Sequence, residues 1–123
     1  MADILVIDDN DELRGTLREI LEEGGYEVHE ARNGREGVAC CQAQPIDLVI
    51  TDLLMPEQEG LETIQQLRTL TPPPKIIAIS GGGHTGRLQF LGAAAVLGAN
   101  RTLAKPIRMR DLLTAVQDLL AET

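Results

Sequence analysis

Three short apolar runs, in which apolar and polar residues do not alternate, restrict the fold of this chain more than any other feature. They are Ile4–Ile7, the segment 46–50, which Asp47 interrupts, and Ile76–Ile79. Each run is rich in β-branched side chains and too short for a helix, so it predicts a strand. Strands that are apolar on both sides are typical of parallel sheets covered on both faces.

Two weaker strand candidates and five helical patterns complete the chain. The polar stretch Tyr26–Ala31 suits a strand near a sheet edge, and Arg101–Ala104 is a further candidate. Apolar residues recur at helical spacing over residues 11–23, 35–43, 61–71, 88–97 and 112–120. Strands that alternate with helices predict an α/β fold, a single doubly wound (βα)5 domain over residues 1–123 with right-handed crossovers.

Polar side chains follow four of the predicted strands. Asp8 and Asp9 follow the first strand, Asp52 the third, Ser80 the fourth and Lys105 the fifth. Because ligands of such folds bind at the carboxyl ends of the strands, we expect these groups to converge there. Converging carboxylates repel one another unless a cation lies between them, and ligation by oxygen alone favours Mg²⁺. A carboxylate beside Mg²⁺, a lysine and a hydroxyl predicts a site that accepts a phosphoryl group.

The same segments resemble the receiver domain of the two-component response regulator family, and the resemblance covers essentially the whole chain. Each motif is weak alone, but the four in this order are highly specific. They are Val6-Ile7-Asp8-Asp9-Asn10, Asp52-Leu53-Leu54-Met55-Pro56 with Gly60, Ser80-Gly81, and Leu103-Ala104-Lys105-Pro106. The resemblance implies a flavodoxin-like five-stranded parallel sheet with the order 2-1-3-4-5.

The resemblance also implies roles for individual residues. Asp52 is the expected phosphoacceptor, and Lys105 would pair with Asp52 or with its phosphoryl group. Asp9 would bind Mg²⁺ directly and Asp8 through water, with Asp52 and the backbone carbonyl of Leu54 as further ligands. Ser80 would donate a hydrogen bond to the phosphoryl group, and the peptide bond to Pro106 is expected to be cis.

The sequence departs from the family pattern where the conformational switch usually lies. The family has Tyr or Phe three residues before the lysine, whereas this chain has Thr102. Ile107 follows Pro106 where Phe is common, and Glu59 precedes Gly60 where Asp is common. We therefore expect a switch that involves Ser80 and Thr102 but lacks the usual aromatic ring.

Charge and cysteine content restrict the partners and the compartment. The chain has 11 Lys and Arg against 19 Asp and Glu, a net charge of −8, which argues against nucleic acid or an anionic membrane as direct partners. No apolar run approaches the roughly 20 residues that span a bilayer, and no basic region precedes the first apolar run as in a secretory signal. The adjacent Cys40 and Cys41 are interpreted as reduced thiols of a cytoplasmic protein.

The resemblance implies a signalling module, with no enzymatic activity beyond its own phosphorylation and dephosphorylation at Asp52. The expected phosphodonor is a sensor histidine kinase or a phosphotransfer protein. The expected output is a downstream protein target or an output domain outside this sequence, with a weak homodimer through the 88–97 helix, the fifth strand and the last helix as a further option. The chain is interpreted as a stand-alone regulator, a phosphorelay intermediate or the receiver of a larger regulator.

Two other functions stay open at this stage. A degenerate receiver that binds partners constitutively is compatible with Thr102 and Ile107, although the acids and Lys105 oppose it. A small-molecule phosphatase with an aspartyl nucleophile is a more distant possibility, because Leu54 occupies the position expected for its general acid.

Overall fold

A computed structural model of the chain describes residues 1–52, 59–80 and 98–122, without the side chains of residues 59, 60 and 80. Five strands lie in the described part: β1 (Asp3–Ile7), β2 (Glu27–Ala31), β3 (Leu48–Asp52), β4 (Lys75–Ser80) and β5 (Arg101–Ala104). The same part contains the helices α1 (Asp11–Glu23), α2 (Gly34–Ala43), α3 (Glu59–Arg68) and α4 (Met109–Ala121). The predicted helix over 88–97 falls outside the described residues.

The five strands form one parallel sheet in the order β2-β1-β3-β4-β5. This arrangement confirms the predicted α/β fold and strand order. β1 and β3 are neighbours at the centre, with Ile7 opposite Thr51. Because both strands run in the same direction, the residues that follow them meet at one edge of the sheet.

β3 lies two residues further along the chain than its apolar run predicts. The strand was expected over 46–50 but extends over Leu48–Asp52, and both Thr51 and Asp52 are buried. Asp47 precedes the strand and forms hydrogen bonds with Asp3 at the start of β1. Its backbone N–H donates to the carbonyl of Asp3 at 2.9 Å, and its carboxylate accepts from the Asp3 N–H at 2.8 Å.

The sheet separates two apolar layers, which explains why the central strands are apolar on both sides. One layer packs α1 and α4 against alternate strand residues, among them Ile4, Val6, Leu48, Ile50 and Ile77. The other packs α3, with partly buried residues of α2, against the intervening positions, among them Leu5, Ile7, Val49, Ile76 and Ala78. None of the helices in the described part is long and apolar enough to cross a bilayer.

Both ends of α1 are capped, which fixes the loop between β1 and α1. The Asn10 side chain accepts a hydrogen bond from the Leu13 N–H at 3.0 Å, as an N-cap residue should. At the other end Gly25 adopts a φ of +93°, and the Tyr26 N–H donates to the Leu21 carbonyl at 3.2 Å. This Schellman arrangement ends the helix with a glycine in the left-handed region.

Candidate functional site

Two carboxylates lie side by side where the central strands end. Asp8 follows β1 and is 2% exposed, while Asp52 is the last residue of β3 and is 4% exposed. The backbone N–H of Asp8 donates to the Ala31 carbonyl at 3.1 Å, which continues the ladder with β2 beyond the strand. The sheet therefore holds both acids in a fixed position, as the sequence predicted for the carboxyl ends of these strands.

The surroundings of Asp8 disfavour its charged form. Burial raises the pKa of Asp8 to about 6, and the nearby charge of Asp52 acts in the same direction. A hydrogen bond from the Asn10 N–H to the Asp8 carboxylate, at 2.9 Å, opposes this rise. A cation bound beside Asp8 would favour the carboxylate and release a proton, because an opposite charge lowers the pKa of an acid.

Lys105 contacts Asp52 from the end of the edge strand, two strands away in the sheet. It follows β5, and its Nζ donates to Asp52 Oδ2 at 2.9 Å. The lysine side chain is 29% exposed, whereas the carboxylate that it contacts is buried. The peptide bond between Lys105 and Pro106 is cis. A buried carboxylate and the ammonium of a partly exposed lysine thus lie in direct contact.

Arg14 belongs to the same region, although the sequence analysis did not select it. Its Nη1 donates to the backbone carbonyl of Asp8 at 2.8 Å, its Nε to Glu30 at 3.0 Å and its Nη2 to Asp11 at 2.7 Å. The spacing from Asp11 to Arg14 is visible in the sequence as a helical i, i+3 pair. The contacts with Asp8 and Glu30 depend on the packing of α1 against the end of β2 and could not be read from spacing.

The structure brings together part of the predicted magnesium site. Asp9 is exposed, and Leu54 and the side chain of Ser80 lie outside the described residues. Within residues 1–52, 59–80 and 98–122, no three His, Cys, Asp or Glu side chains form a group that could hold a metal ion. The chemistry of the donors nevertheless fits Mg²⁺, because Asp8 and Asp52 are buried oxygen ligands and Asp8 makes no ion pair with a cationic side chain of the described part.

Thr102 lies in β5 opposite Ala78 of β4 and is partly buried. It lies in the edge strand of the sheet, three residues before Lys105. Its hydroxyl side chain is smaller than an aromatic ring and cannot fill the same space, and the contact between Lys105 and Asp52 is present beside it.

The chain is similar to response regulators in sequence and in structure. A family model described as the response regulator receiver domain matches residues 4–117. The transcriptional regulatory protein SrrA of Staphylococcus aureus is 31% identical over 121 residues, which are 98% of this chain and 48% of SrrA. The chain therefore spans about half the length of the curated relatives it matches.

Two solved structures show the same likeness at the level of the fold. A response regulator receiver domain protein from Clostridium thermocellum has a TM-score of 0.89 and 32% identity, covering 98% of this chain and 95% of that one. The chemotaxis response regulator CheY4 of Vibrio cholerae has a TM-score of 0.84 and 28% identity, covering 97% and 98%. Receiver domains act as signalling modules and are not classical enzymes. This chain belongs to the response regulator receiver domain family of two-component signal transduction.

Proposed function

We propose that the domain accepts a phosphoryl group on Asp52 from the phosphohistidine of a sensor histidine kinase or a phosphotransfer protein. The contact between Lys105 Nζ and Asp52 Oδ2, at 2.9 Å beside the buried Asp8, is the observation that carries this proposal. In the transfer an Asp52 oxygen forms a bond to phosphorus, the P–N bond of the donor breaks, and its electron pair returns to the imidazole. Such a transfer requires positioning and neutralisation of charge more than covalent assistance.

Lys105 has two roles in this mechanism. Before transfer its ammonium orients Asp52 and compensates the negative charge of the buried carboxylate. After transfer the ammonium can remain in place and donate to a phosphoryl oxygen, because the phosphoryl group is added next to the Asp52 carboxylate that the ammonium already contacts.

The domain would bind Mg²⁺ directly through Asp9 and through water from Asp8, with Asp52 and the backbone carbonyl of Leu54 as further ligands. Bound there, Mg²⁺ would neutralise the charge that develops on the phosphoryl oxygens. Asp8 would then hold its carboxylate form at neutral pH, and the Asn10 N–H would keep that carboxylate oriented. We assign to Ser80 the hydrogen bond to the phosphoryl group and to Thr102 the transmission of the change along β5.

Phosphorylation would change the charge at Asp52 and shift a two-state equilibrium of the domain. The output is contact with a protein partner or with an output domain, in agreement with the matched relatives being about twice as long as this chain. We place the domain in the cytoplasm, where its kinase would meet it. A homodimer through the 88–97 helix, β5 and α4 stays a prediction, because that helix falls outside the described residues.

The mass of the intact protein after incubation with Mg²⁺ and acetyl phosphate tests this function. We expect one added phosphoryl group on the wild type and none on Asp52→Asn, which keeps the shape of the side chain. Beryllofluoride with Mg²⁺ should shift the backbone amide resonances of Asp8 and Asp52 in the wild type. If neither acetyl phosphate nor beryllofluoride affects the wild type, the domain is a constitutive binding module instead.

A further inference from the structure

Arg14 joins three parts of the chain at one guanidinium group. It is 12% exposed and donates to the Asp8 backbone carbonyl, to Glu30 of β2 and to Asp11 in the first turn of α1. All three contacts are between 2.7 and 3.0 Å. The planar arrangement of donors on arginine suits such divergent contacts, whereas a lysine could satisfy only part of them.

The contact with the Asp8 carbonyl has a consequence for the next residue. The carbonyl carbon of Asp8 is bonded to the nitrogen of Asp9, so a hydrogen bond to this carbonyl fixes the peptide plane between the two acids. On the other side, the carboxylate of Asp8 accepts from the Asn10 N–H at 2.9 Å. Two hydrogen bonds thus orient the segment Asp8-Asp9. Arg14 donates to the backbone carbonyl of Asp8, and the Asn10 N–H donates to its carboxylate.

Glu30 keeps the guanidinium in place. One oxygen of its carboxylate accepts from Arg14 and the other from Arg18, one turn further along α1. Hydrogen bonds from Arg18 and Arg14 lower the pKa of Glu30, so it stays charged at neutral pH. Because Glu30 precedes the last residue of β2, Arg14 ties the loop between β1 and α1 to the sheet beside it.

We propose that Arg14 is a positioning residue for the cation site: it fixes the segment between β1 and α1 so that Asp8 and Asp9 are held ready to bind Mg²⁺. This inference rests on the proposed function for the identity of the cation. Groups that orient metal ligands from outside the ligand shell commonly affect metal affinity by about 10- to 100-fold. Removing the guanidinium should therefore weaken Mg²⁺ binding even though Arg14 touches no carboxylate oxygen of Asp8.

Arg18 provides a matched control. It carries the same charge on the same helix and contacts the same Glu30, but its other partner is Glu22 and it is 43% exposed. Loss of either arginine removes a positive charge, which by electrostatics alone favours a cation. For loss of Arg14, electrostatics predicts a higher Mg²⁺ affinity and positioning predicts a lower one. For loss of Arg18, only the electrostatic increase in Mg²⁺ affinity is expected.

Calorimetric titration with Mg²⁺ alone, on the wild type, Arg14→Met and Arg18→Met, tests this inference. We expect the dissociation constant of Arg14→Met to rise about tenfold and that of Arg18→Met to stay the same or to fall. Arg14→Lys, which preserves the charge, should bind Mg²⁺ several-fold more weakly than the wild type. It also provides the test if Arg14→Met does not fold.

Hydrogen exchange without metal gives a second readout. The Asn10 amide should exchange faster in Arg14→Met than in the wild type or Arg18→Met. Equal Mg²⁺ affinities for the wild type and both Arg14 variants, equal losses for Arg14→Met and Arg18→Met, or unchanged exchange at Asn10 would each overturn the inference. A wild type that binds Mg²⁺ but takes no phosphoryl group would contradict the proposed function alone, because the titration still decides the role of Arg14.

Discussion

Asp8 and Asp52 follow neighbouring central strands and are buried to the same degree, but the charges around them differ. Asp52 contacts the ammonium of Lys105 at 2.9 Å, while Asp8 accepts a neutral backbone hydrogen bond and has a pKa raised to about 6 by burial. One acid is therefore neutralised by the chain itself. Asp8 makes no ion pair with a cationic side chain of the described part. The more distant charge of Lys105 lowers the pKa of Asp8 but does not offset the effect of burial, so an added cation would favour its charged form.

This difference gives the two acids opposite effects on the stability of the metal-free protein. A buried ion pair is destabilised when one partner is removed, because the other is left as an uncompensated charge. A buried acid without a cationic partner shows the opposite behaviour, since replacing it by a neutral group removes a cost. Substitutions at Lys105 and Asp8 should accordingly change the stability of the metal-free protein in opposite directions.

The largest expected effect is a loss of stability on breaking the pair at Asp52. Lys105→Met should lower the free energy of unfolding by about 3 kcal/mol at pH 7 without metal, because it leaves the Asp52 carboxylate buried without its ammonium. Lys75→Met is the control. Within the described residues the ammonium of Lys75 pairs with the exposed Glu122 at 3.5 Å, so this substitution should change the free energy of unfolding by less than about 0.5 kcal/mol. Equal losses in urea unfolding would show that the pair at Asp52 has no special role.

The second expected effect is a gain of stability at Asp8. A pKa of about 6 in place of 3.8 corresponds to about 3 kcal/mol of destabilisation of the charged form at neutral pH. Asp8→Asn keeps an acceptor for the Asn10 N–H and removes the charge, so it should raise the free energy of unfolding by about 3 kcal/mol at neutral pH. Asp9→Asn is the control, because Asp9 is exposed and its substitution should change the free energy of unfolding little. A loss of stability in Asp8→Asn would contradict the proposed difference between Asp8 and Asp52.

The gain at Asp8 should depend on pH with a definite sign. The folded protein binds a proton at Asp8 more tightly than the unfolded chain does, so this group destabilises the fold progressively as pH rises from about 4 to about 6. The stability difference between Asp8→Asn and the wild type should be near zero below pH 4 and reach its full value of about 3 kcal/mol above pH 6. A difference that is constant across this range would assign the effect to packing instead of ionisation.

The smallest expected effect is stabilisation by the cation itself. At ten times its dissociation constant, Mg²⁺ should raise the free energy of unfolding of the wild type by about 1.4 kcal/mol through mass action. The same concentration should stabilise Asp8→Asn by less than half as much, because one anionic ligand is missing. Equal stabilisation of both proteins would exclude Asp8 from the cation site.

The sequence predicted the architecture well because the central strands have apolar residues on both faces. It was less accurate for β3, where Thr51 and Asp52 are buried although their side chains are polar. Hydropathy ends the strand at Ile50, whereas the backbone ladder with β1 and β4 continues past it. Burial enforced by neighbouring strands is a tertiary effect that a local pattern does not contain.

The sequence predicted the charged residues of the candidate site but not the arginine that contacts them from outside. Asp8, Asp52 and Lys105 follow predicted strands, so topology alone places them at one edge. Arg14 appears in the sequence as one arginine on the polar side of α1. Its contacts with Asp8 and Glu30 arise only when the helix packs beside β2, so they could not be found before the fold was known.

The strand order means that the two partners of the ion pair differ in local stability. The segment that carries Lys105 opens more easily than the strand that carries Asp52. Asp52 ends a central strand that is buried along its whole length, whereas Lys105 follows β5, the edge strand, whose residues are partly or fully exposed. Edge elements with few buried contacts open at lower free energy than the centre of a sheet. The ammonium can therefore be withdrawn by a local fluctuation that leaves both carboxylates in place, so the acceptor would be uncovered without unfolding the domain.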